Sequence, residues 1–241
     1  MLLLVCAVAH AQNTEHFTHV IKLTNGKYIC GGYTTAGPSD FVVACVSTQG
    51  EVVWKKTIGG TREDGGSFNG NREFISKTPD GGFYFAGATA SSDGDITSFK
   101  GEWDIFVARF DASGNILWKS TFGGDKTEYL AEIEATTDGG AIFAATTASD
   151  STGDVPVNHS DKSDIWVVKL DAQGAIQWSR TYGGSGDDIA GTIKTASDGG
   201  YIFTGASASE DGDLTGSTTG AVWVVKLDSA GMITWNERMD R

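Results

Sequence analysis

Helical periodicity is missing from this 241-residue chain: nowhere over a useful length do apolar residues recur at i, i+3, i+4 and i+7. Positive charge is also scarce. Lys and Arg total 18 against 31 Asp and Glu, a net charge of −13. Such a surface repels phosphate backbones and anionic headgroups, so neither nucleic acid nor a membrane surface is an expected partner. Histidine is down to four residues, His10, His16, His19 and His159. No Ser/His/Asp or Cys/His arrangement repeats or converges among them, which argues against nucleophilic catalysis. The apolar stretch Met1 to Ala11 falls short of the ~20 residues of a transmembrane helix. It ends in Ala9-His10-Ala11 before Gln12, an A-x-A cleavage pattern that reads as the end of a secretory signal peptide. No basic residue precedes it, as if an upstream part were missing. Cysteine is limited to Cys6, Cys30 and Cys45. Val5 sits where a lipid-attachment site at Cys6 wants a small residue. Cys30 and Cys45 fall on adjacent strands of one repeat; an oxidising compartment permits a disulfide, and two buried thiols are the expectation.

What the chain has in excess is glycine, 33 residues, placed in recurring turns. One pattern runs through it four times, and fixed-period similarity decides architecture before anything else. The clearest copy is Ile189 to Ala196, a turn at Ser197-Asp198-Gly199-Gly200, Tyr201 to Gly205, a loop, Val222 to Leu227, a turn at Asp228-Ser229-Ala230-Gly231, and Met232 to Trp235. Trp54, Trp118, Trp178 and Trp235 mark one column; Asn25-Gly26, Asp80-Gly81, Asp138-Gly139 and Asp198-Gly199 mark another. β-Branched and aromatic runs bounded by Gly and Asp turns are strand signals. Asp-Gly between two runs is the chemistry of a type I′ hairpin, with φ > 0 at both central residues. Four antiparallel strands per unit of about 60 residues, in tandem, match a β-propeller blade. The expected fold is therefore all-β, a propeller of four four-stranded blades at about 16–58, 59–122, 123–182 and 183–241. It is either a closed four-blade ring or a fragment of a larger propeller. Strands such as Ile165 to Leu170 are apolar on both faces except at Lys169, as a sheet covered on both sides requires.

Trp166 to Trp178 and Ser197 to Gly205 resemble the propeller repeats of secreted and surface proteins of Bacteroidota-type bacteria, which often carry a sorting domain for type IX secretion. The Leu-Asp-x-x-Gly-x-x-x-Trp part, one residue shorter, is similar to the tryptophan-docking motif of quinoprotein-like propellers. The resemblance implies a propeller fold in a secreted, cell-surface or periplasmic protein. It implies little about activity.

In an up-and-down blade, connections 1–2 and 3–4 share one rim, and connections 2–3 and 4–1 share the other. The first set are short, repeated turns. The second set are long and differ between copies: Ala36 to Asp40, Ala90 to Asp104, Ala148 to Asp164 and Ser207 to Gly220, with the 4–1 loops starting at Gly59, Gly123 and Gly183. Variable loops on a rigid scaffold are where binding resides. The candidate ligand residues on this rim are Asp93, Asp95, Glu102, Trp103, Asp104, Asp154, Asp161, Asp211 and Asp213. Asp-Gly-Asp at 93–95 and 211–213 could hold Ca²⁺, or the carboxylates could cap turns through backbone N–H groups. Trp103 could stack on a sugar or be the first buried residue of its strand. Asp64, Glu128 and Asp188, each four residues past a Gly-Gly pair, read as hydrogen-bonding positions between blades. The function expected is a non-enzymatic binding or adhesion scaffold for a protein or glycan. The alternatives are a glycan-active hydrolase with a carboxylate pair and a structural repeat module of a larger protein.

Overall fold

The computed structural model describes residues 15–65, 74–214 and 221–239. The leader reading at Met1 to Ala11 lies outside these residues, as do the last part of the 207–220 loop and Asp240-Arg241. Sixteen strands and no helix are found among the described residues, in four sheets of four, each in simple sequential antiparallel order. The first sheet is β1 (Glu15–Lys22), β2 (Tyr28–Thr34), β3 (Phe41–Val46) and β4 (Val52–Ile58); the second is β5 (Phe74–Lys77), β6 (Phe83–Thr89), β7 (Asp104–Phe110) and β8 (Ile116–Phe122). The third is β9 (Glu128–Ala135), β10 (Ala141–Thr147), β11 (Asp164–Leu170) and β12 (Ile176–Tyr182). The fourth is β13 (Asp188–Thr195), β14 (Tyr201–Ser207), β15 (Ala221–Leu227) and β16 (Ile233–Met239). These are four-stranded antiparallel blades of β-propeller type. The four repeated tryptophans all lie in the fourth strand of their blade.

The chain divides into two compact units. One comprises the described residues up to Phe99 together with Phe106–Thr121; the other comprises Lys100–Ile105 and the described residues from Phe122 onward. In the first unit Phe41, Val43, Phe83, Phe85, Phe106 and Phe110 form the centre of the core, with Trp54 and Ile116 packed against it. In the second, Ile165, Val167, Phe203, Trp223 and Val225 play that part, with Trp178 beside them. β3, β7 and β11 are buried along their whole length, which is why they lack polar alternation. The basic residues on strand three are ion-paired. The Lys169 Nζ donates to Asp138 Oδ2 at 2.8 Å and to the Leu170 carbonyl at 2.8 Å, and Arg109 and Lys226 make the same link to Asp80 and Asp198.

The Asp-Gly turns are not type I′. Gly26, Gly81, Gly139 and Gly199 have φ between +83° and +89°, while the residues before them do not have positive φ. Gly81 N donates to the Thr78 carbonyl, and Thr78 N to the Gly82 carbonyl. This is a turn closed before a left-handed glycine, a longer hairpin than the two-residue type. The aspartate is held by its side chain instead, since Asp138 Oδ1 accepts from Gly140 N at 3.1 Å. The cysteine expectation is corrected in part. Cys45 is a free, buried thiol, but Cys30 is half of a disulfide. The two do not pair: Cys45 stands opposite Ile29, and Cys30 opposite Ala44.

Candidate loop rim and cleft

A staple built from a Gly-Gly pair, an acid four residues later and a Thr/Ser-Ala-Ser segment recurs three times. In its middle copy, Gly124 N donates to Glu128 Oε2 at 3.0 Å. The hydroxyls of Thr147 and Ser149 donate to Glu128 Oε1 at 2.8 and 2.7 Å, and Lys126 N donates to Ser149 Oγ at 2.9 Å. Asp64 is held in the same way by Gly60 N, Thr89 and Ser91, and Asp188 by Gly184 N and Ser209. The acids that the spacing singled out thus tie the 4–1 loop to the end of strand two within their own repeat, and the expected bonds between blades are corrected to bonds inside one blade. A second acid, at the start of strand three, closes on each first glycine. A Cβ on Gly123 would lie 2.3 Å from Asp104 Oδ1 and 2.6 Å from Glu128 Oε2; Gly183 stands in the same way between Asp164 and Asp188. Burial pushes Asp64, Asp104, Glu128 and Asp164 above the usual carboxylate range, and the neighbouring acid adds to the rise for Asp64, Glu128 and Asp164.

Most rim residues named from the sequence have partners within the chain. Asp93 accepts from Thr61 N and Oγ1 at 2.8 and 2.9 Å, whereas Asp95 pairs with Lys119 at 2.6 Å, so the two carboxylates of this Asp-Gly-Asp turn to different neighbours. In the other such loop, Asp211 Oδ1 accepts from Ser185 N at 2.7 Å, and Asp213 Oδ2 accepts from Gly183 N at 3.2 Å. Glu102 accepts from the Thr127 hydroxyl at 3.0 Å, and Asp104 Oδ2 from Lys100 N at 2.7 Å. Asp154 pairs with Lys100 at 3.0 Å. Trp103 is half-buried and forms a parallel bridge with Thr127. Asp161 is exposed. Among the described residues no group of three or more His, Cys, Asp or Glu side chains converges as metal donors.

One set of these residues does come together, in the second unit. His159 Nδ1 contacts Asp164 Oδ2 in a short hydrogen bond, its backbone N–H donates to the same oxygen at 3.0 Å, and its Nε2 stands 3.4 Å from Asp213 Oδ2. The imidazole therefore bridges a buried acid and a half-exposed one. Burial, opposed by the Gly183 N–H and by His159, leaves Asp213 above the usual range. His159 and Asp213, with Asp164 buried outside the lining, face a cleft of about 430 Å³ between the 157–159 segment, the end of β12 and the turn before β16. Arg180 forms a wall: its Nε donates to the Ala230 carbonyl at 3.1 Å, and the Tyr182 hydroxyl donates to the Gly231 carbonyl at 2.6 Å, fixing the turn against β12. Of these residues the sequence singles out Asp213 alone; Arg180 stands in a column that holds Lys56, Ser120 and Glu237 in the other repeats. That uniqueness was itself the available signal.

No protein-family model matches the chain. The regulatory protein FlaEY of Caulobacter vibrioides is 26% identical over 207 residues; the match spans 82% of this chain and 20% of that protein. A protein of unknown function from Dyadobacter fermentans has a similar structure, with a TM-score of 0.57 at 12% identity, over 97% of this chain and 72% of that one. An α-L-arabinofuranosidase from Fusarium graminearum follows with 0.53 at 13% identity, over 95% and 67%. A variant of the Synechocystis apocarotenoid oxygenase gives 0.50 at 12% identity, and the chain spans about half of it (52%). At these identities the likeness shows the β-propeller-like fold and nothing finer.

Proposed function

We propose that this chain is a binding module, secreted or displayed at a cell surface, that takes its ligand in the cleft around His159, Arg180 and Asp213. The observation that carries this reading is the cleft itself. Its volume lies in the range of small-ligand sites, and its walls include two of the loops that differ between repeats, with charged groups of both signs. The other rim acids favour binding over catalysis, because most hold loops in place and are not aimed at open space. A hydrolase is the second reading, supported by His159 standing between Asp164 and Asp213 with both carboxyls raised by burial, as acid–base chemistry needs. The arabinofuranosidase of similar fold makes a glycoside the substrate to try. A glycan array run beside a panel of chromogenic glycosides, arabinofuranoside included, separates the two. Array binding without turnover is the expected result. Turnover abolished by Asp213→Asn would replace the binding module with a hydrolase.

A further inference from the structure

We propose, building on the reading of the cleft as the ligand site, that its ligand is a neutral sugar held through adjacent hydroxyl groups. A sugar ring offers donors and acceptors on neighbouring carbons and one apolar C–H face, and the cleft presents a counterpart to each.

Arg180 is the donor. Its Nε bond to the Ala230 carbonyl holds the guanidinium by one edge against the cleft wall, and the planar fork carries further N–H groups beyond that edge. Asp213 is the acceptor. One of its oxygens is taken by Gly183 N and faces His159, and its side chain remains 30% exposed in the same cleft. Asn158 also belongs to the lining. It is 7% exposed, its N–H₂ group donates to the Lys162 carbonyl at 2.8 Å, and its Oδ1 has no partner. A buried acceptor left unpaired is costly, but this oxygen is closed to solvent, so the polar contacts to a sugar fall to Arg180 and Asp213. The apolar wall is Ile233 with the exposed side chains of Met232 and Val157, 53% and 70% accessible.

Charge selects the ligand's class. Arg180 and Asp213 balance across the cleft, and Asp164 beneath is bonded to His159. An anion would gain Arg180 but meet Asp213 and a chain of net charge −13. A cation would gain Asp213 but meet Arg180. A neutral polyol satisfies both without an uncompensated charge.

Ligand-observed NMR and calorimetry on the full chain test this with L-arabinose, galactose, galacturonate and galactosamine as probes. The neutral sugars are expected to bind, and to bind better than the charged pair. Arg180→Lys and Asp213→Asn should each weaken binding by about tenfold or more, while Trp235→Ala, on the exposed part of β16, leaves it unchanged. Unliganded thermal melts of the variants control for folding. Preference for galacturonate or galactosamine overturns the proposal, as does sugar binding that Arg180→Lys does not affect. Absence of sugar binding also overturns it. A peptide-library ligand that Arg180→Lys abolishes would keep the binding-module reading while removing the sugar.

Discussion

Lys169 shows how one residue reads differently alone and in its column. On the sequence it is a lone charge in an apolar strand. In the fold it is 2% exposed and bonded to Asp138. The same link joins Arg109 to Asp80 and Lys226 to Asp198. In the first blade the column holds Cys45 where the others hold a cation, and Asn25 where they hold the aspartate, so both charges are missing together. Asp138 lies below the usual carboxylate range: burial opposes ionisation, and the bonds from Lys169, Thr136 and Gly140 outweigh it. The two ends of the pair are not equivalent. Asp138 is about half exposed, whereas Lys169 is buried. Asp138→Asn strands a buried ammonium and should cost about 1–3 kcal/mol, more than Lys169→Met, which leaves a carboxylate in contact with water. Urea unfolding of the two variants checks this; the reverse order would show that the pair is worth little.

At the scale of the element, the hairpin turns and the staples use glycine for different reasons. Gly199 sits at φ +83° with nothing near its missing Cβ, so only backbone conformation requires it. Gly184 is limited by space, because a Cβ there would stand 2.5 Å from the Asp211 carbonyl oxygen and 2.8 Å from Ser209 Cβ. Gly199→Ala should cost about 1 kcal/mol. Gly184→Ala should cost roughly 3 kcal/mol or more, because the Asp211 backbone and the Ser209 Cβ must both give way. Equal losses in denaturant titrations would mean that the staple is not the rigid support of the loops described here. The staple was half legible in the sequence. The Gly-Gly pairs and the acids four residues later stand out, but Thr89-Ala90-Ser91, Thr147-Ala148-Ser149 and Ser207-Ala208-Ser209 do not, because small hydroxyl residues in a loop start look like ordinary turn composition.

For the molecule as a whole, buried acids govern the response to pH. Burial holds Asp64, Asp104, Glu128, Asp164 and Asp213 above their ordinary values of 3.8 or 4.5. The folded state therefore holds these protons more tightly than the unfolded state, and stability falls as pH rises from the ordinary values through the raised ones. Asp80, Asp138 and Asp198 lie below 3.8, so their contribution is present above that value and lost as pH drops beneath it. The self-repulsion of a −13 chain acts in the same direction as the raised group. Tm should thus be higher at roughly pH 5 than at roughly pH 8. Asp104→Asn removes a charge whose Oδ1 has no partner; it should flatten that slope and raise stability at the upper pH by about 1 kcal/mol. A Tm that climbs steadily from the lower to the higher pH would refute the account.

Periodicity alone was enough for the all-β class, the four blades, the tryptophan column in the fourth strands and the double-sided burial of the third strands, because these follow from local spacing repeated four times. The turn type was not legible, since Asp-Gly serves two kinds of hairpin and only the hydrogen bonds close one of them. Nor was the division of labour among the acids. Composition makes every rim aspartate alike; three-dimensional proximity decides that Glu128 ties a loop, that Asp93 and Asp95 turn apart, and that Asp213 meets His159 and shares a cleft with Arg180. Those last three residues lie 54 positions apart at the extremes, His159 and Arg180 in the third repeat and Asp213 in the fourth, so only the packing of one blade's outer strand against the next blade's loops could bring them to one cleft.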